Sequence, residues 1–256
     1  MRLASYNIRR GGTGRASSIA AVLRAIDPDV VVLQEATDAN VVSALAQALD
    51  ATVALAWPGR SVAVLSRIDA SEARWHHPGI GNSVAEVSFE EPDVRLIGVH
   101  LAAGLSGRRE RRRDREVEQL LAAVNEPPGP ARTIIAGDLN AIAPGESPTV
   151  AVLPPRVRIM LRIGGWIETT VIARLVDDGL ADAYRMLHPD EPGLTMPAKA
   201  PSVRLDYAFL GFGLVGAAVG CEVGGADQAL MIAASDHLPL VLELDVSGGP
   251  AVAASG

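Results

Sequence analysis

Cysteine is almost missing from this 256-residue chain. Cys221 stands alone, so no internal disulfide can form, and a reducing, cytoplasmic compartment is the expectation. Lysine is just as scarce: of 23 basic residues only Lys199 is lysine, and the rest are arginine. Against 30 acidic residues this leaves a net charge of -7, which argues against a protein held on nucleic acid by bulk charge. Three Trp, three Tyr and three Phe offer few platforms for stacking bases. No apolar run reaches the length of a membrane span. Met1–Asn7 reads as a strand rather than as part of a signal peptide. An acidic protein can still bind phosphate where a metal ion neutralises the site.

Apolar residues are plentiful, at 48%, enough for one large domain with a substantial core. We take that domain as residues 1–246, with the small and polar stretch 247–256 as a frayed tail. Arg2–Ile8 reads as a strand. Ile19, Val22, Leu23 and Ile26 form the stripe of a helix that Ser17 or Ser18 could cap. Val30–Gln34 is a β-branched run, a strand buried on both faces. Asp38 starts a second helix that runs to Leu49. Short β runs follow at Ala51–Trp57, Ser61–Ser66, Ser83–Phe89 and Val94–Leu101. Ser106–Asn125 is a helix, and Thr133–Asp138 a core strand. Ala143–Pro201 is irregular apart from a helix near Thr169–Asp178. Strands return at Val203–Leu210, Val215–Val223 and Leu238–Leu244. Helices alternate with strands early, and hairpins dominate later. The expected fold is α/β (α+β), a four-layer α/β/β/α sandwich of two mixed sheets with outer helices.

Polar residues gather where these strands end, the places where α/β proteins build sites. Asn7 closes the first strand and Glu35 the second. His100 ends a later one. Gly137-Asp138-Leu139-Asn140 ends another, and if the chain stays extended there, Asp138 and Asn140 point the same way. Asp206 and Tyr207 follow Arg204, and Asp236-His237 precede Pro239. Asp236 and His237 are adjacent, so both can serve one site only from a loop. Oxygen ligands such as Glu35 and Asp236 suit Mg²⁺ or Mn²⁺ rather than zinc.

The six segments in this order, at these spacings, resemble the endonuclease/exonuclease/phosphatase superfamily, with its deoxyribonuclease-I-like fold. The resemblance runs from about Met1 to Leu244. It implies a four-layer sandwich and a metal-dependent phosphoesterase. It also implies roles: Glu35 as the main magnesium ligand, with Asn7 and Asp236 near the metal; Asp138 positioning or deprotonating the attacking water; Asn140 holding phosphate. His237, oriented by Asp206, would bind the scissile phosphate or act as acid–base, and His100 would contact phosphate. The implied partner is a phosphate ester, nucleic acid among the candidates, acted on by a monomer without a membrane span.

Each feature has a plainer account. Gly137–Asn140 alone fits a turn. Glu35 could cap the following helix, Asp206 could pair with Arg204, and His100 could be a hydrogen-bonded core residue. His76 and His77 have no motif around them and read as surface residues. The arginines from Arg108 to Arg115 alternate with Glu110, Asp114, Glu116 and Glu118. Arg112 and Glu116 form an i,i+4 pair, so a solvated, salt-bridged helix face is expected. Arg156, Arg158 and Arg162 fit either a basic lip beside the site or an edge strand guarded by charge. The lysine and Tyr-x-Pro-Asn segment of abasic-site endonucleases are missing. Gly193-Leu194-Thr195-Met196 resembles the family's Gly-x-Thr-Trp stretch, with Met196 in place of the aromatic.

Overall fold

The computed structural model describes residues 1–76, 84–104, 107–146, 149 and 170–246. Within them the strands are β1 (Arg2–Asn7), β2 (Val30–Gln34), β3 (Thr52–Leu55), β4 (Val62–Ser66), β5 (Glu72–His76), β6 (Val84–Phe89), β7 (Val94–His100), β8 (Thr133–Asp138), β9 (Ala181–Asp182), β10 (Asp206–Leu210), β11 (Ala218–Val223) and β12 (Leu240–Leu244). The α-helices are α1 (Ala16–Ile26), α2 (Ala39–Ala48), α3 (Gly107–Asn125), α4 (Val171–Asp177), α5 (Ala183–Leu187) and α6 (Gln228–Ala234). One six-stranded sheet has the order β11-β12-β1-β2-β4-β3, the other β5-β6-β7-β8-β10-β9. Each is mixed: β1–β2 and β7–β8 pair in parallel, and the other pairs run antiparallel.

Alternation along the strands builds the layers. Leu3, Val30, Val32, Leu240 and Leu242 of the first sheet share one apolar cluster with Leu96, Ile134, Ala136, Ala208 and Leu210 of the second. That is the core between the sheets. Ala4, Tyr6, Val31 and Leu33 face away from it, among residues of α1 and α2. Ile97, Val99, Ile135, Tyr207 and Phe209 do the same on the second sheet, against α3 and α4. The result is the expected α/β/β/α sandwich.

The differences are local. Helix α1 begins at Ala16 after Arg15, with no side-chain cap, so neither Ser17 nor Ser18 caps it. Strand β10 starts at Asp206 rather than Val203. Strand β5 and helices α5 and α6 have no counterpart in the sequence reading. Strand β5 is an edge strand, half open to water, and α5 and α6 are one or two turns long. The expectations for His77, for Arg156, Arg158 and Arg162, and for 247–256 fall outside the described residues.

Candidate active site

Carrying the strand alternation one step further produces the site. On β8, Ile134 and Ala136 face the inter-sheet core, and Asp138 is next in that column. On β10, Ala208 and Leu210 put Asp206 on the same face. Leu96 does so for His100 on β7, and Leu3 for Asn7 on β1. Four columns of core residues therefore end in polar groups at one open rim of the sandwich. β7 and β8 pair tightly there: a Cβ on Gly137 would lie 1.9 Å from the Val99 carbonyl oxygen.

Asp138 is at the centre. Its Oδ2 accepts from Asn7 Nδ2 at 2.9 Å and lies 3.8 Å from His100 Nε2 and 3.9 Å from His237 Nε2. Its Oδ1 accepts from the Asn140 backbone N–H at 2.9 Å. Asn140 is in the left-handed region, φ 47°, so the chain is not extended there. Asp138 and Asn140 do not project as a parallel pair. The Asn140 amide instead donates to the Leu101 carbonyl at 3.1 Å.

Glu35 also depends on a backbone exception. In a regular strand it would follow Leu33 into the helix layer, but its φ of 54° breaks the alternation. Its Oε1 is 3.5 Å from Asn7 Nδ2, and its Oε2 accepts from the Arg10 backbone N–H at 2.5 Å. Glu35 does not cap α2. Asp38 does, accepting from the N–H groups of Asn40 and Val41. Asp206 does not pair with Arg204 either. Arg204 is buried against Glu146 and Asp182, while Asp206 Oδ2 lies 2.9 Å from His237 Nδ1.

Asp236 and His237 lie in the loop before β12. The Asp236 carboxylate is 3.2 Å from Arg9 Nε, and its backbone carbonyl accepts from Ala198 N–H at 2.7 Å. The His237 loop is tied to β1 by Ser235, whose hydroxyl donates to the Asn7 carbonyl at 2.6 Å and accepts from the His237 N–H at 3.3 Å. Thr195 Oγ1 accepts from Leu205 and Asp206 N–H groups at 3.1 and 3.3 Å, and its carbonyl accepts from Leu238 N–H at 2.7 Å. Tyr207 accepts at its hydroxyl from Ala143 N–H at 3.1 Å, which fixes the loop after Asn140. Ser235, Thr195, Arg9 and the Tyr207 hydroxyl were not singled out as site residues from the sequence. Thr195 had a signal in the Gly-x-Thr stretch, and Tyr207 and Ser235 in the segments around Asp206 and Asp236 that carry the resemblance; Arg9 had none.

Charge in this buried cluster is unbalanced. Burial, then the Asp206 charge, pushes the Asp138 carboxyl up from its usual range. Burial works against the charged form of His237, yet Asp206, by charge and hydrogen bond, and Asp138 hold its pKa up at about 10. Asp138, Asp206 and His237 each present a ligand atom within 4.8 Å of the others. Oδ1 of Asp206 is buried with no hydrogen-bond partner among the described residues. This excess of buried carboxylate, rich in oxygen donors and free of cysteine, fits a hard divalent cation. A groove of about 710 Å³, lined by Ile142, Glu146, Arg185 and Arg204 among others, is separate and includes none of these site residues.

Two groups read as surface residues are buried. His76 Nε2 lies 2.7 Å from Glu86 Oε2, beneath the β5–β6 edge. Along α3 the Arg112–Glu116 pair forms at 2.7 Å, but Arg113 and Glu116 are buried. Arg113 donates to the carbonyls of Ala102 and Gly104, and Glu116 accepts from the Ala102 N–H. They hold the loop that follows His100.

Two stacked mixed sheets with acidic and histidine side chains gathered at one rim define an α/β sandwich that carries its polar site at the strand ends. The profile of the Endonuclease/Exonuclease/phosphatase family matches residues 4–237, and the chain belongs to that family. Its fold is similar to that of an AP endonuclease from Archaeoglobus fulgidus, at TM-score 0.75 and 17% identity, covering 96% of this chain and 99% of that one. It is also similar to the 3' phosphatase NExo from Neisseria bound to product DNA hairpin, at TM-score 0.71 and 20% identity, over 96% and 99% of the two chains. An endonuclease/exonuclease/phosphatase from Beutenbergia cavernae is 25% identical at TM-score 0.70, covering 99% of this chain and 73% of that one. No curated protein matches. No described helix is long and apolar enough to cross a membrane.

Proposed function

We propose that this chain is a divalent-metal-dependent phosphoesterase that hydrolyses a phosphodiester by in-line attack of water. The observation that carries the reading is the convergence of Asn7, His100 and His237 on one oxygen of Asp138, with Asp206 behind His237. A phosphodiester is an anion that repels hydroxide. Its hydrolysis needs neutralised phosphoryl oxygens, an oriented water and help for the leaving alkoxide. Asp138, made more basic by burial and by Asp206, accepts the proton of the water. His237, kept protonated by its two carboxylates, donates to the phosphoryl group or to the leaving oxygen. His100 and Asn140 border the same rim and orient the phosphate. Glu35 and Asn7 would hold Mg²⁺ or Mn²⁺ beside Asp138, and Asp236, whose carboxylate lies 3.2 Å from Arg9 Nε, adds negative charge on the loop that carries His237. The metal, when bound, supplies positive charge at the phosphoryl oxygens.

A small or lipid phosphate is the second reading of the substrate. Arg95, Arg113 and Arg204 are buried on carbonyls and carboxylates of the chain itself, so they add nothing to a basic face. Salt separates the two: duplex nucleic acid gives a steep loss of affinity with added salt, and a small phosphate a shallow one. The test is a metal-dependent screen of supercoiled plasmid, single-stranded RNA, a generic phosphodiester and inositol phosphates. Asp138→Ala and His237→Ala each lower turnover on the order of 10²–10⁴-fold while the far-ultraviolet circular dichroism stays unchanged. Glu35→Gln shifts the metal requirement most. Wild-type turnover by Asp138→Ala refutes the site.

A further inference from the structure

We propose that Trp57 is a stacking platform for the nucleobase next to the scissile phosphate, a specificity-determining residue of the site; the inference rests on the phosphodiesterase reading above. Trp57 is 65% exposed, and an isolated exposed apolar residue needs no explanation by itself. Its position and its mounting do.

The β2–β4 ladder ends with Gln34 opposite Val62. Ala36 N–H then donates to the Ser61 carbonyl at 3.0 Å, and Gly59 N–H to the Thr37 carbonyl at 3.4 Å. The β3–β4 loop is thus fastened to the two residues that follow Glu35, at the rim where the site lies. Phe212 is more exposed, at 72%, but its neighbours Gly211 and Gly213 bond to Thr133 and Ala131, at the start of β8 and so at the end opposite Asp138. Trp75 is half-buried under the Arg60 guanidinium, 5.5 Å from the ring centre.

The mounting is stiff. Arg60 N–H donates to the Trp57 carbonyl at 3.0 Å across Pro58 and Gly59, and Gly59 has φ 79°. That is the pattern of a type II turn, with proline and glycine at the positions each favours. The Arg60–Trp75 contact pins the outgoing arm. An indole held on a rigid turn loses little freedom when a planar ligand settles on it. A net charge of -7 makes general attraction to a polyanion weak, whereas stacking on a base does not depend on that charge.

The experiment uses the full chain with Mg²⁺ and two kinds of diester. One is a dinucleoside phosphate. The others replace one nucleoside or the other by a base-free sugar. For the dinucleoside phosphate, Trp57→Ala raises KM on the order of tenfold, the value of one base–aromatic stack, and leaves kcat nearly unchanged. For one base-free diester the wild type already shows the raised KM, and Trp57→Ala adds nothing. Trp57→Phe recovers most of the affinity. The melting temperature of Trp57→Ala stays at the wild-type value, because the ring is largely in water. Equal KM values for wild type and Trp57→Ala on the dinucleoside phosphate overturn the proposal. Should neither diester be hydrolysed, the phosphodiesterase reading fails on its own. A calorimetric titration of the dinucleoside phosphate into the two proteins in EDTA then decides: weaker binding by Trp57→Ala upholds the platform, and equal or undetectable binding ends it.

Discussion

His237 lies between two carboxylates, Asp206 at 2.9 Å and Asp138 at 3.9 Å, and that position sets its charge. Its folded pKa is raised from 6.5 to about 10. A raised histidine adds stability that is complete below the unfolded value and is lost as pH rises through the folded one. Urea unfolding in EDTA should therefore show stability falling between about pH 6.5 and about pH 10. Asp206→Asn, which removes the closer negative charge, should flatten that fall. Equal slopes for the two proteins contradict the assignment. Most of these residues were legible in the sequence as types at strand ends. Their orientations were not. Glu35 and Asn140 depend on left-handed backbone, φ 54° and 47°; asparagine favours that region, but a glutamate does not announce it. Thr195 and Ser235 stand in family-like segments, but they act through backbone groups of Asp206, Asn7 and His237, and the segments do not say which groups those are.

Elements were read best where one side of the pattern is strongly apolar. β2 matches residue for residue, and α3 within one residue at its start, because their stripes leave few alternatives. β5 was missed because an edge strand keeps polar side chains in water. Its buried end carries a cluster that the sequence disguises as surface charge: Glu86 with Arg95 at 2.7 Å, His76 at 2.7 Å and Arg74 at 3.0 Å. Burial alone would push the Glu86 carboxyl up, but hydrogen bonds from Arg95, His76 and Arg74 bring it below its usual value. Its contribution is thus present above about pH 4.5 and lost as pH falls. Glu86→Ala strands the Arg95 charge and should cost roughly 3–5 kcal/mol at neutral pH, read from denaturant midpoints; a loss under about 1 kcal/mol contradicts the burial argument. At the end of α2, Asp50 takes the left-handed position, φ 53°, and Ala51 N–H donates to the Ala46 carbonyl at 3.0 Å. Glycine is favoured there, so Asp50→Gly should raise stability by roughly 0.5–1 kcal/mol without changing turnover.

Across the whole molecule, the site exists only because two sheets stack with their core columns ending at one rim. Asn7 and Asp138 are 131 positions apart in sequence, and Ser235 and Asn7 are 228 apart. Local pattern cannot supply such contacts; what pointed to them was the order of the six segments and the family they resemble. The arginine-rich helix shows the limit of composition. Part of that charge turns inward to hold the loop after His100, so the run does not by itself make a nucleic-acid face. The central claim is that side chains from both sheets act as one hydrolytic unit. A double-mutant comparison of kcat on a phosphodiester tests it most directly, with Asp138→Ala, His237→Ala and the two combined. If they work on one phosphate, the double variant falls no further than the worse single one, to within about tenfold. Losses that multiply, each near its single value, would mean two independent contributions and contradict a shared site.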